Sequence, residues 1–157
     1  MNLIHHIQYI IETDRTVRDN LNFEEDTLTG IRYPSVAYNT IPEGMQMPYL
    51  RIYDVSDYLT NESHEVRRLI RFEVVAENNN RLVKRVINRL QQLFHRRDLQ
   101  PYGIVSHVEN RAVVPVSKPS LFAEVLTISV RQHRQDLGDL EEALPEVYAY
   151  FTIKGGQ

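Results

Sequence analysis

The chain contains no cysteine. That excludes disulfides, thiolate nucleophiles and zinc or iron–sulfur sites built on cysteine, and it suits a protein made in a cytoplasm. No apolar run approaches the ~20 residues that a membrane-spanning helix needs, so no membrane partner is expected. The opening Met1-Asn2-Leu3-Ile4-His5-His6 lacks a basic segment followed by an apolar stretch and a small-residue cleavage site, so no signal peptide is expected. Glycine is scarce, and its six copies are scattered. None of them builds the glycine-rich loop ahead of a helix that cradles phosphate, and no Gly-x-Ser-x-Gly elbow presents a serine nucleophile.

Metal chemistry also lacks its usual spacing. His5 and His6 are adjacent and point apart on a helix, and His64, His95, His107 and His133 are isolated. There is no His-x-x-x-His pair and no helical Glu-x-x-His pair. The acidic pairs Glu24/Glu25 and Glu141/Glu142 lie in hydrophilic runs, where solvated charge is the default reading. The expectation is a protein without catalytic residues, cofactor or metal.

What is present is a scaffold of 157 residues, enough for one domain and a tail. A domain of this size buries roughly 70% of its unfolded surface and folds without a metal or disulfide. Eighteen basic and 21 acidic side chains give a formal net charge of −3, which argues against a protein dedicated to coating nucleic acid.

Helical spacing of Leu3, Ile4, Ile7, Ile10 and Ile11 predicts a short amphipathic helix over 3–12. A polar stretch over 14–22 holds a second short turn around Val17 and Leu21. Glu24 to Gly30 reads as a solvated acidic loop. Ile31-Arg32-Tyr33-Pro34 reads as an edge strand or short extended piece because of its proline. Pro42-Glu43-Gly44 is a turn.

Strands are predicted over 49–58, with Leu50 and Ile52 on one side, and over 66–77, with Ile70, Phe72, Val74 and Ala76 on one side. Asn61 to His64 joins them as a hairpin loop. Asn78-Asn79-Asn80 caps a helix that runs to about His95. Its apolar stripe is Leu82, Val83, Val86, Ile87, Leu90, Leu93 and Phe94. Pro101 and Gly103 break the chain. A β-rich stretch to Val116, with a turn at Glu109-Asn110-Arg111, precedes a second turn at Lys118-Pro119-Ser120 and the longest strand, over 121–133. On that strand Phe122, Leu126, Ile128 and Val130 face inward.

Short connectors between sequential strands favour antiparallel pairing. The expected fold is α+β: one twisted, mainly antiparallel sheet with two helices on one face, over residues 1–133. Residues 134–157 form a C-terminal extension or arm. The other sheet face is expected to be an uncovered, half-apolar surface carrying Tyr49, Tyr53, Val55, Leu69 and Val75. Such surfaces mark interaction sites. Tyr49, Arg51, Tyr53, Arg71 and Glu73 on this face, with Tyr148, Tyr150 and Phe151 of the arm, are the candidate subunit interface. The basic helix face of Arg81, Lys84, Arg85 and Arg89 is an ordinary solvated face by default, and a contact for DNA or an acidic partner in its functional reading. No aromatic interleaves those cations for base stacking.

The order and spacing of these elements resemble the tail terminator (tail completion) proteins of long-tailed bacteriophages and prophages. The resemblance rests on Ile31-Arg32-Tyr33-Pro34, on Met47-Pro48-Tyr49-Leu50-Arg51-Ile52 after the Pro42/Gly44 turn, and on Arg71-Phe72-Glu73-Val74-Val75-Ala76 leading straight into the helix from Arg81. The strand ending at Leu126 to Arg131 completes it. The resemblance implies a virion structural protein that forms a ring, usually a hexamer, on the tail tube. Such a ring ends polymerisation of the major tail tube protein and joins the tail to a neck or connector protein, and DNA passes through it without sequence-specific binding. It implies no catalytic residues, and a home in the virion tail after synthesis in the host bacterial cytoplasm. The alternatives are a neck or head–tail connector subunit, and a small DNA-binding module using helix 81–97.

Overall fold

The computed structural model describes residues 2–55 and 65–133. The chain opens with helix α1 (Leu3–Thr13), whose Leu3, Ile4, Ile7, Ile10 and Ile11 are all buried. Asn2 caps it by accepting from the His5 amide at 2.9 Å. Asp14 ends α1 and starts α2 (Arg15–Asn20), accepting from the Val17 amide at 3.1 Å. One short acidic side chain thus satisfies a free helix N–H and sets the bend between two helices.

Strands β1 (Phe23–Glu25) and β2 (Arg32–Pro34) pair as a separate antiparallel hairpin. Glu24 and Glu25 therefore lie in a strand, not in a loop. The turn occupies Asp26 to Gly30, where Gly30 supplies φ +71° and the Asp26 carboxylate accepts from the Leu28 amide at 2.9 Å. Strand β3 (Val36–Tyr38) follows directly. The turn at Pro42–Gly44 is present, closed by the Met45 amide on the Pro42 carbonyl at 3.2 Å.

The main sheet contains six strands in the order β3-β4-β5-β8-β7-β6. Its members are β4 (Tyr49–Asp54), β5 (Glu65–Glu77), β6 (Arg97–Asp98), β7 (Val105–Val113) and β8 (Leu121–His133). Every pairing is antiparallel except β3 with β4, which is parallel. The predicted connector Asn61–His64, the end of the predicted strand over 56–58 and the whole extension over 134–157 lie outside the described residues.

One expectation fails locally. Glu109-Asn110-Arg111 is no turn. Strand β7 runs through it, with a register shift against β8 between Val108 and Asn110. The extra residue is absorbed as a bulge, which tolerates polar side chains as readily as a turn does.

Alternation along the strands builds the core. Leu50, Ile52, Ile70, Phe72, Val74, Leu126, Ile128 and Val130 turn toward the helices and are buried with them. Helix α3 (Asn80–Phe94), capped by Asn79 accepting from Leu82, packs Val83, Val86, Ile87, Leu90 and Phe94 onto that layer. Phe72 and Phe94 meet with ring centroids 5.0 Å apart. Three helices, not two, share this side, because α2 closes the gap between α1 and α3.

Candidate functional site

The predicted interface residues on the sheet do share a face. Register sets Tyr49 opposite Val75, Arg51 opposite Glu73 and Tyr53 opposite Arg71. Arg51 Nε lies 3.2 Å from Glu73 Oε1, and its guanidinium stacks over the Tyr53 ring at 4.3 Å. That nitrogen is placed for an ion pair but is not aligned to donate a hydrogen bond to any acceptor. Arg71 Nε donates to Thr127 Oγ1 at 3.3 Å. Ser129 donates to Glu109, and Arg131 pairs with Glu65 at 2.7 Å. Burial pushes the Tyr49 phenol above its ordinary pKa, and the Glu73 carboxylate adds to the push.

This face is not the open half-apolar surface that the sequence predicts. Tyr49, Tyr53, Val55 and Leu69 are half-buried, and Val75, Ala123, Thr127 and Ser129 are buried. The long polar side chains are paired across the sheet, Arg51 with Glu73, Arg71 with Thr127, Glu109 with Ser129 and Arg131 with Glu65. Alternation alone reports which side a residue faces, not how its neighbours fold over it. Tyr148, Tyr150 and Phe151 fall outside the described residues.

The basic helix residues line a shallow groove of about 440 Å³ between α2 and α3, with Thr16, Asn88 and Gln92 completing its walls. Two of its four cations are already engaged. Arg89 holds Asp14 at 2.8 Å, which ties the α1–α2 junction to α3. Burial opposes ionisation of Asp14, but the hydrogen bonds from Arg89 and the Val17 amide outweigh it and hold the carboxyl below its ordinary value. Lys84 reaches Glu124 at 2.6 Å. Arg85 bonds only Asn20 at 3.3 Å, and Arg81 has no partner among the described residues.

Glu124 was missed by the sequence reading. It belongs to the inward set of β8, and it is buried between Lys84 and Arg111, the latter at 3.0 Å. Burial raises its pKa, but the two cations outweigh that and leave it lowered. A carboxylate in phase with Phe122, Leu126 and Ile128 was the signal available.

A second missed feature is the distribution of exposed apolar side chains. Of eight large ones among the described residues, five (Leu28, Ile31, Tyr33, Tyr38 and Ile41) lie on the β1–β2 hairpin or just after it. Val113 and Val116 lie at the far end of β7, and Tyr9 on α1. Among the described residues no group of three or more His, Cys, Asp or Glu is placed to hold a metal ion, and no helix is long and apolar enough to cross a membrane. His6 instead stacks against Tyr102 at 4.9 Å.

No protein-family model matches the chain, and no curated protein matches it. A solved structure does. The chain is similar to one from the virion of a native gene transfer agent particle, with a TM-score of 0.60 at 12% identity. The likeness covers 84% of this chain and 92% of that one, so nearly the whole of the other fold is matched. At that identity the likeness is one of fold.

Proposed function

We propose that this chain is a structural protein of a phage-type virion: a subunit of the ring that caps the tail tube, ends its polymerisation and joins the tail to the head or neck. The observation that carries this reading is the fold shared, over 84% of this chain and 92% of the other, with a component of a gene transfer agent virion. Within virion proteins, the order of elements favours the tail terminator. The Pro-Tyr-Leu-Arg-Ile strand start at Pro48–Ile52, the long β5 and the immediate α3 follow the pattern described above. The partners are sibling copies, the major tail tube protein and a neck or connector protein.

A DNA-binding role for α3 is less favoured, because Lys84 and Arg89 are committed to Glu124 and Asp14. Phosphate contacts need cations that are available to release counterions.

The decisive experiment adds purified protein to polymerising tail tube subunits and images the product by negative stain. Tubes of arrested length with a ring at one end are the expected result. Unaltered tube growth, with the protein absent from both tube ends, would overturn the terminator reading. In whole particles, gold-labelled antibody against the protein found at the neck instead of at the tube end would reassign the chain to the connector.

A further inference from the structure

Ring closure needs two different patches, one meeting the other on the next copy. The two strand edges of this fold supply them. The β1–β2 hairpin is anchored at the start of β4: the Asn22 amide donates to Pro48 at 2.8 Å, and the Leu50 amide to Ser35 at 3.0 Å. Across the sheet, the same level runs from Tyr49 to Val75 to Ala123, and the Val114 amide donates to Ala123 at 2.9 Å. The hairpin and the far end of β7 therefore lie at the same end of the strands, on opposite edges of the sheet.

Both edges expose apolar side chains, and their charges are opposite. The hairpin displays Leu28 and Ile31, 82% and 64% exposed, beside the acidic Glu24, Glu25 and Asp26. Strand β7 pairs with β6 only through Val105 and Ser106, so His107 to Val113 has no partner on its outer edge among the described residues. Its end displays Val113, 72% exposed, and Val116. The surroundings there carry an excess of cations. Lys84 and Arg111 share the one carboxylate of Glu124, and the Asn78 amide donates to Ser120, which brings the start of α3 alongside the β7–β8 connection, where Glu77, opposite Leu121, is the one exposed acid among the described residues. Arg81 and Lys118 are exposed there and unpaired among the described residues. The one cation on the hairpin, Arg32, lies over the Phe23 ring, as does Arg18 of α2, and Glu109 is turned to the opposite sheet face, where it accepts from Ser129.

We propose that the acidic, apolar β1–β2 hairpin of one copy docks on the basic free edge of β7 in the next, Leu28 and Ile31 against Val113 and Val116. This rests on the ring reading above and gives that ring its interface. An unpaired strand edge is a template for another chain, and opposite charge sets the register of the approach. Hairpin against hairpin would bring like charges together, so the contact is head-to-tail.

A mixing experiment tests it. One variant carries Leu28→Asp with Ile31→Asp and keeps its β7 edge. The other carries Val113→Asp with Lys118→Glu and keeps its hairpin. All four positions are exposed, and circular dichroism with a melting curve checks that both variants fold. Sedimentation velocity is expected to show each variant alone associating at least about tenfold more weakly than wild type. Their mixture is expected to stop at a heterodimer, because only one good contact can form. If wild type forms rings and both variants do so unchanged, the interface is elsewhere and the ring reading stands. If wild type never associates, alone or on tail tubes, the ring reading falls and this interface with it.

Discussion

The two faces of the six-stranded sheet are closed by different means. On the helix side, Leu50, Ile52, Phe72, Val74, Leu126 and Ile128 are buried in one apolar cluster with residues of α1, α2 and α3, and one buried carboxylate, Glu124, is held there by Lys84 and Arg111. On the other side no helix packs among the described residues; there Arg71 and Glu109 bond Thr127 and Ser129 of β8, and Arg51 pairs with Glu73 and Arg131 with Glu65 across neighbouring strands. The first closure rests on burying apolar area, at roughly 25 cal/mol per Å². The second rests on partly solvated pairs, whose attraction is largely offset by desolvation. Stability is therefore expected to reside on the helix side, leaving the ionic side with the task of keeping polar strand residues paired.

The largest effect should come from the helix side. Phe72 is fully buried against Phe94. Phe72→Ala is expected to cost about 3–5 kcal/mol in urea denaturation, from lost transfer energy plus the cavity left behind. A cost below about 1 kcal/mol would break the comparison.

The ionic side should respond differently to one substitution and to two. Glu73→Ala leaves Arg51 half-buried without its carboxylate and is expected to cost about 1–2 kcal/mol. Replacing both with Met, Arg51→Met and Glu73→Met, is expected to recover most of that loss, because neither charge then has to be desolvated. If the double variant is worse than the single one, the pair contributes net stability and the two faces are held by more similar means.

The contrast also explains how much was legible beforehand. Helices α1 and α3 and strands β5 and β8 are long, and each carries a sustained period of 3.6 or 2, so the α+β class and the core followed from pattern. Strand β3 is three residues long and β6 two, too short to show a period. Their pairing comes from neighbours remote in sequence. The capture of Arg89 by Asp14 joins residues 75 apart, and nothing local to either marks it. The same holds for the ionic face: alternation put Tyr49, Arg51, Tyr53, Arg71 and Glu73 together, but which of them are half-buried and which exposed depends on pairings such as Arg51 with Glu73 and Arg71 with Thr127 that no local pattern marks.

Glu124 is the exception within the apolar side, a carboxylate enclosed by Lys84 and Arg111. Its folded pKa is lowered, so its contribution is fully present above the ordinary carboxylate range and is lost as pH falls through that range to the lower folded value. Asp14 works in the same direction. Stability is expected to fall on acidification below about pH 5, and Glu124→Gln should flatten that acid limb while lowering stability at neutral pH. An unchanged acid limb would show that the triad contributes nothing to folding.

The smallest effects should separate two arginines one turn apart on α3. Arg89 bonds both oxygens of Asp14, at 2.8 to 3.2 Å. Its removal leaves the α1–α2 junction without its cation, and Arg89→Ala is expected to cost about 1 kcal/mol, a charge-assisted pair discounted for its exposure. Arg85 lies on the same helix face but bonds only the Asn20 side chain. Arg85→Ala is expected to stay within about 0.5 kcal/mol of wild type, as surface changes away from such pairs do. Equal losses at both positions would mean that the basic face stabilises the domain as a whole. A smaller loss at Arg85 leaves it as a cation that folding does not use, available to whatever approaches the groove between α2 and α3.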